Sequence, residues 1–244
     1  MHRNILIFAA KKGGLDLTRF LFEINASIDR IIVANTEDTG IIELAASRGV
    51  SVNVHDREIT TWLPEEGNTY EWLLNLWSPH ILKPPILNLA THRLNVHPSM
   101  APFCRGNDNA AWTLREKAPA GVSLMEMSEN IDDGDIFIQK EVPYSFPIKG
   151  KELNALLFRE ANSLFRDHWE AIYAGKILPR PQQGEISYHT RKKTDEDRLR
   201  DASMQTTMGE CLEWILAHDF SPGTTVEVRY GEKKYKLTVN IDEV

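Results

Sequence analysis

The sequence has no apolar run approaching the ~18 residues needed to cross a bilayer, which excludes a membrane-spanning helix. Positive charge is also in short supply. Lys plus Arg number 28 against 35 Asp plus Glu, a formal charge of −7, and this argues against a large nucleic-acid footprint while allowing a local basic patch. The two cysteines, Cys104 and Cys211, are far apart, and nothing at Met1-His2-Arg3 resembles a signal peptide. A reducing cytoplasm is therefore the expected setting. The eight histidines form no HExxH, and no Cys or Cys/His set has zinc spacing, so no metal is expected. There is no G-x-G-x-x-G after the first apolar run and no internal repeat.

What is present is a soluble, globular composition, with 42% hydrophobic and 26% charged residues. At roughly 150 residues per domain, 244 residues give one to two domains. Asn4–Ala9 reads as a strand, Lys11-Lys12-Gly13-Gly14 as a loop, and Leu15, Phe20 and Leu21 as the inner side of a helix. Ile28–Ala34 is a second strand. Thr36–Thr39 begins a helix that Gly49 stops, and Val50–Val54 is a third strand. This alternation predicts an α/β fold, a Rossmann-like, mostly parallel sheet with ligands near the carboxyl ends of its strands.

Farther on, Thr61–Asn68 carries turn formers, and Tyr70, Leu73, Leu74 and Trp77 fall at helical spacing, predicting a short helix there. Pro84-Pro85 can begin another short helix. Arg93–Val96 reads as a buried strand that delivers Asn95 and His97 to its end. A helix over Asn107–Arg115 and strands over Val122–Met127 and Ile136–Val142 complete the sheet. The most regular helical spacing lies within Gly150–Tyr173. Pro179–Gly184 marks a boundary, followed by the charged stretch Arg191–Asp201, a helix over Met208–Ala217 and a terminal hairpin with period-two alternation. Domains are expected at 1–178 and 179–244, the second a short α+β appendage ending in a β-hairpin.

Chemically suggestive residues are densest in Leu94-Asn95-Val96-His97-Pro98-Ser99-Met100-Ala101-Pro102-Phe103-Cys104-Arg105-Gly106, followed downstream by Asn130-Ile131-Asp132-Asp133-Gly134-Asp135-Ile136. This pattern resembles the folate-dependent formyltransferase family, marked by N-x-H-P-S, a Pro, an Arg-Gly pair, a Trp and a later D-x-G turn leading into a strand. Here Trp112 takes the aromatic position, with Asp132 and Gly134 in the turn. Ser78-Pro79-His80-Ile81-Leu82 sits where the family's folate-contacting segment ends in Ile-Leu. The resemblance covers roughly residues 4 to 178.

The resemblance implies formyl transfer from N10-formyltetrahydrofolate to a primary amine. Attack on the formyl carbon places negative charge on oxygen, makes the attacking nitrogen acidic and requires N10 to leave. A carboxamide such as Asn95 can donate to that oxyanion, and losing such a donor typically costs about 2.7–4 kcal/mol of transition-state stabilisation. His97 lies on the same side of an extended segment as Asn95, and imidazole exchanges protons near neutral pH. Asp132 would hold that imidazole or an ordered water; Asp133 and Asp135 fit turn-capping or solvated roles.

The resemblance further places His80, Ile81, Leu82, Asn130, Ile131 and Gly134 around the folate, and Lys11, Lys12, Arg105 and Trp112 around the amine substrate. Several competing roles stay open. Lys11-Lys12 also fits a solvated pair, Arg105 a surface ion pair, Cys104 a packing position, and His80 and His92 structural positions. Trp77, Trp112 or Tyr188 could stack on a base or sugar or belong to the core.

The loop after the first strand lacks the Gly/Ser/Asn-rich phosphate loop of glycinamide ribonucleotide formyltransferases. Only about 65 residues follow the boundary, in place of the larger basic barrel of methionyl-tRNA enzymes, and the acidic balance also disfavours transfer RNA. The chain is thus most similar to sugar N-formyltransferases, which act on nucleotide-linked amino-dideoxy sugars in O-antigen or related glycan synthesis. Partners implied are such a sugar and folate, without nucleic acid or membrane, in a homodimer for which the terminal hairpin supplies an edge. The alternatives are a formyltetrahydrofolate hydrolase, a formyltransferase for another small amine, or an inactive nucleotide- or folate-binding module.

Overall fold

From Ile5 to Ala9 the chain is apolar without alternation, and all five residues are buried, which is what a strand covered on both faces requires. The computed structural model describes residues 3–242; Met1 and His2, part of the N-terminal segment weighed above, lie outside them. In chain order the elements are β1 (Arg3–Ala9), α1 (Lys11–Glu23), β2 (Ile28–Val33), α2 (Thr39–Ser47), β3 (Ser51–Val54), α3 (Ile59–Glu65), β4 (Tyr70–Leu76), α4 (Pro84–Leu87), β5 (Ala90–His97) and β6 (Arg105–Gly106). They continue with α5 (Asn109–Glu116), β7 (Gly121–Met125), β8 (Ile136–Glu141), α6 (Gly150–Tyr173), β9 (Tyr188–His189), α7 (Arg191–Asp197), β10 (Leu199–Asp201), α8 (Met208–Ala217), β11 (Val226–Tyr230) and β12 (Lys233–Leu237).

The main sheet has the order β3-β2-β1-β4-β5-β7-β8. β1 pairs in parallel with both β2 and β4, so the direction of winding reverses between β1 and β4, the place where open α/β sheets carry ligands. β4 in turn pairs in parallel with β5, with Asn75 opposite Asn95. One side of the sheet is sealed by Leu6, Phe8, Ile32 and Leu73 packed with Ile59 and Leu63 of α3 and Ile86 and Leu87 of α4.

Two compact units make up the chain. The first holds residues up to His97, Leu124–Ile138 and Ala161–Gln182; the second holds Pro98–Ser123, Gln139–Glu160 and the chain from Gln183 onward. In the second unit, β10-β11-β12 form a small sheet in which β11 and β12 are the antiparallel hairpin expected from the alternation. Trp214 and Ile215 of α8 pack on Val226, and α8 begins with a reciprocal Thr207–Glu210 capping box. A second small pairing, β6 with β9, joins two residues from each strand in parallel.

Three local expectations are corrected. Tyr70–Leu76 is a strand, not a helix: Trp72 and Leu76 are buried along with Leu73 and Leu74, so this segment is a doubly covered central strand whose apolar spacing matched a helix by coincidence. Lys11–Gly14 is the first turn of α1, not a loop. A Cβ on Gly13 would lie 2.5 Å from Trp77 Cδ1, and one on Gly14 would lie 2.7 Å from the Leu76 carbonyl oxygen, so both glycines serve a close approach of helix to strand end. Thr61–Asn68 is not all turn, because α3 runs through Pro64 to Glu65.

Candidate active site

β5 alternates Leu94 and Val96 into the core with Asn95 and His97 on the opposite side, and these two polar residues stand at its carboxyl end. Asp132 reaches the same place from the loop before β8. Asn95 Nδ2 donates to Asp132 Oδ1 at 3.3 Å, and His97 Nδ1 lies 3.5 Å from the same oxygen. The His97 and Asp132 side chains are only 5% and 12% exposed. His97 Nε2 is buried and has no hydrogen-bond partner among the described residues, an arrangement whose cost is offset when a ligand or water supplies the partner.

The loop bearing Asp132 is fixed in detail. Asp132 adopts a left-handed backbone (φ 53°), unusual for a non-glycine residue. Gln182 Nε2 donates to the Asp132 and Gly134 carbonyls at 3.0 and 2.7 Å, and Glu126 N donates to the Asp135 carbonyl at 2.7 Å. A Cβ on Gly134 would lie 2.2 Å from the Glu126 carbonyl oxygen, so only glycine fits there. Asp133 is consumed within the turn: its carboxylate accepts from Ser128 Oγ and from Asn130 Nδ2. Asp132, not Asp133, faces Asn95 and His97. Gln182 went unnoticed in the sequence, where it lies inside a Pro-rich boundary with nothing to mark it as a support for a loop 50 residues earlier.

The remaining expected residues fall into distinct settings. His80 Nε2 sits 3.2 Å from the Ala34 carbonyl, and its ring stacks on His55 at 3.7 Å. Burial lowers the His55 pKa, and the neighbouring His80 lowers it further. Ile81 is exposed, whereas Leu82 belongs to the core. Asn130 is exposed and Ile131 half-buried.

Lys11 and Lys12 are exposed at the start of α1. There the Lys11 amide donates to Asp38 Oδ1 at 2.6 Å, so a carboxylate already occupies part of the helix terminus that a phosphate would use. Trp77 donates to Asn162 Oδ1 at 2.7 Å. In the second unit, Arg105 is half-buried in β6. Trp112 is a buried packing residue: His189 stacks on it at 3.8 Å, its Nε1 donates to Thr194 Oγ1 at 2.9 Å, and Lys193 Nζ lies 4.7 Å from the ring centroid. Of the two roles left open for Trp112, these contacts are those of packing, with the indole holding α5 against β9 and α7. Tyr188, by contrast, is exposed.

Fold and site together place the molecule in the class of formyltransferase folds, and a formyl transferase family model matches residues 74–155, which contain Asn95, His97 and Asp132. The full chain superposes on a sugar N-formyltransferase from Shewanella sp FDAARGOS_354 with a TM-score of 0.83 at 18% identity, covering 100% of each chain. It also matches the N-formyltransferase from Helicobacter canadensis in complex with folinic acid and dTDP-3-aminofucose, with a TM-score of 0.71 at 17% identity over 89% of this chain and 80% of that one. At these identities the likeness is one of fold. By sequence, the methionyl-tRNA formyltransferase of Thermodesulfovibrio yellowstonii is 31% identical over 121 residues, 49% of this chain and 39% of that protein. The chain spans about half the length of the curated relatives it matches. Among the described residues, no helix is long and apolar enough to cross a membrane.

Proposed function

We propose that this protein transfers the formyl group of N10-formyltetrahydrofolate to the primary amine of a nucleotide-linked amino-dideoxy sugar. The observation that carries the proposal is the convergence of Asn95, His97 and Asp132 from β5 and the loop before β8, with His97 Nε2 buried and unpartnered. In this reading the amine nitrogen bonds to the formyl carbon as the bond from that carbon to N10 breaks. Asn95 Nδ2 donates to the oxygen that gains charge. His97 Nε2 accepts the proton lost by the amine and returns it to N10, while Asp132 orients the ring from the Nδ1 side. His80, Ile81 and Leu82, with the Asn130–Gly134 turn, are assigned to the folate, and the exposed Ile81 offers it an apolar contact.

The sugar substrate is favoured by the full-length likeness to sugar N-formyltransferases and by the formal charge of −7, which disfavours the transfer RNA substrate named for the sequence relatives. A soluble cytoplasmic enzyme of glycan synthesis, working as a homodimer, completes the proposal. The test is to follow tetrahydrofolate formation from N10-formyltetrahydrofolate with and without UDP-, GDP- and dTDP-linked amino sugars and with methionyl-tRNA. Turnover that depends on an amino sugar is expected. Turnover without any amine would make the protein a hydrolase, dependence on methionyl-tRNA would replace the sugar, and no turnover with any acceptor would leave an inactive binding module.

A further inference from the structure

Among the described residues, a second set of chemically active side chains lies in the second unit: Cys104 just before β6, Glu116 at the end of α5 and His189 at the end of β9. Their positions in the chain, separated by 12 and 73 residues, follow no metal-binding spacing; only the fold gathers them. One ligand atom from each lies within 4.8 Å of the others. Cys104 Sγ is 3.8 Å from Glu116 Oε2, and His189 Nε2 is 2.8 Å from Glu116 Oε1.

The second observation is the imidazole itself. His189 is 1% exposed; its Nε2 faces only the Glu116 carboxylate, at 2.8 Å, and its Nδ1 has no hydrogen-bond partner among the described residues. A buried imidazole left this way is costly unless something binds it. The surroundings hold the trio in place: Trp112 stacks on His189, Ser187 Oγ accepts from the Cys104 amide at 2.8 Å, and the Asn107 amide donates to the His189 carbonyl at 2.8 Å.

We infer that Cys104, Glu116 and His189 form a binding site for one divalent transition-metal ion of the zinc type, with a solvent molecule as fourth ligand. A thiolate, an imidazole and a carboxylate are the donor types Zn2+ prefers, and bonds of about 2.0–2.3 Å set ligand atoms roughly 3.3–3.8 Å apart, so a small closure of the trio suffices. Without metal, burial pushes the Cys104 thiol up to about 11, so it is protonated at neutral pH. Binding breaks the S–H bond as the sulfur–metal bond forms, and one proton leaves to solvent. Lys193 opposes a cation here, and the carboxylate of Glu116 with the Cys104 thiolate outweighs it. The ion would act as a staple, because β6 and β9 share only two residue pairs and the metal ties both strands to α5.

The test uses the full chain after treatment with a chelator, titrated with Co2+ as the probe and followed by absorption. The expected result is one equivalent bound, with a near-ultraviolet thiolate-to-cobalt charge-transfer band and four-coordinate visible bands, both bleached by Zn2+. Cys104→Ser should abolish the charge-transfer band and Cys211→Ser should keep it. Glu116→Gln retains the thiol and should weaken Co2+ binding at least tenfold. Folded wild-type protein without the band overturns the proposal, as does a band that survives Cys104→Ser or an unchanged affinity in Glu116→Gln. None of these readouts requires formyl transfer.

Discussion

The Nδ1 atom of His97 stands 3.5 Å from Oδ1 of Asp132, beyond a good hydrogen bond but close enough for the carboxylate to select the imidazole tautomer protonated on Nδ1. That tautomer leaves a lone pair on the buried, unpartnered Nε2. If the proposed reaction holds, Asp132→Asn removes the selection while preserving shape, and His97→Asn and Asn95→Ala remove the base and the oxyanion donor. Each is expected to lower kcat/KM on the order of a hundredfold or more, mainly through kcat. Steady-state kinetics beside circular dichroism would check this, and wild-type rates in properly folded variants would discard the site.

Gly134 is fixed by contact, not by backbone conformation. Its missing Cβ would fall 2.2 Å from the Glu126 carbonyl oxygen, a backbone atom that cannot swing away as a side-chain tip can. Gly134→Ala should therefore displace the loop and with it Asp132, destabilising the chain by about 1–3 kcal/mol as overpacking does. Urea denaturation measures the loss. A variant as stable as wild type would mean that the loop carrying Asp132 yields freely.

The parts of the fold that were legible in the sequence are those with one clean period. Gly150–Tyr173 has a single apolar stripe and is a helix with those bounds, and the period-two alternation after Val226 is the hairpin. Tyr70–Leu76 is misleading because a central parallel strand needs no alternation, and three of its apolar positions, Tyr70, Leu73 and Leu74, fit a helical wheel together with Trp77 just beyond it. In the site, local pattern pairs Asn95 with His97, and Asp132 is reached only through the D-x-G turn of the family resemblance. Asn95 and His97 share a strand, whereas the support from Gln182 and the gathering of Cys104, Glu116 and His189 depend on long-range folding that no local pattern encodes.

The Gly13-Gly14 pair shows how tertiary demand overrides local preference. Two glycines in a first helical turn cost roughly 1 kcal/mol each relative to alanine. Here they let α1 approach the end of β4, where Trp77 holds a left-handed backbone (φ 68°) and donates to Asn162. Gly13→Ala would put its Cβ 2.5 Å from the indole, so instead of gaining helix propensity it should destabilise the protein by about 1–3 kcal/mol. Combining it with Trp77→Leu should recover part of that loss. Equal losses in single and double variants, measured by thermal melting, would show that the indole is not the obstacle.

In the second unit, Asp197 ties three helices together: its carboxylate accepts from Arg115 Nε at 2.8 Å and faces His218 Nε2 at 2.7 Å, while its carbonyl accepts from Trp214 Nε1 at 2.7 Å. Burial by itself would raise the Asp197 pKa, but the hydrogen bonds from His218 and Arg115 outweigh it and hold the carboxyl far below the usual carboxylate range. A depressed folded-state pKa contributes stability above the unfolded value of about 3.9 and loses it as pH falls from there through the folded value. Asp197→Asn should therefore cost about 1–3 kcal/mol at pH 7, because it leaves the charged Arg115 guanidinium and the His218 ring without their carboxylate partner. The gap between variant and wild type should hold from pH 7 to about 5 and narrow below about 4, where the carboxylate of the unfolded wild-type chain begins to protonate while its folded counterpart stays ionised. Urea midpoints across that range read the effect directly. A gap that widened on acidification would reverse the sign of the linkage and place the stabilising charge elsewhere in the network.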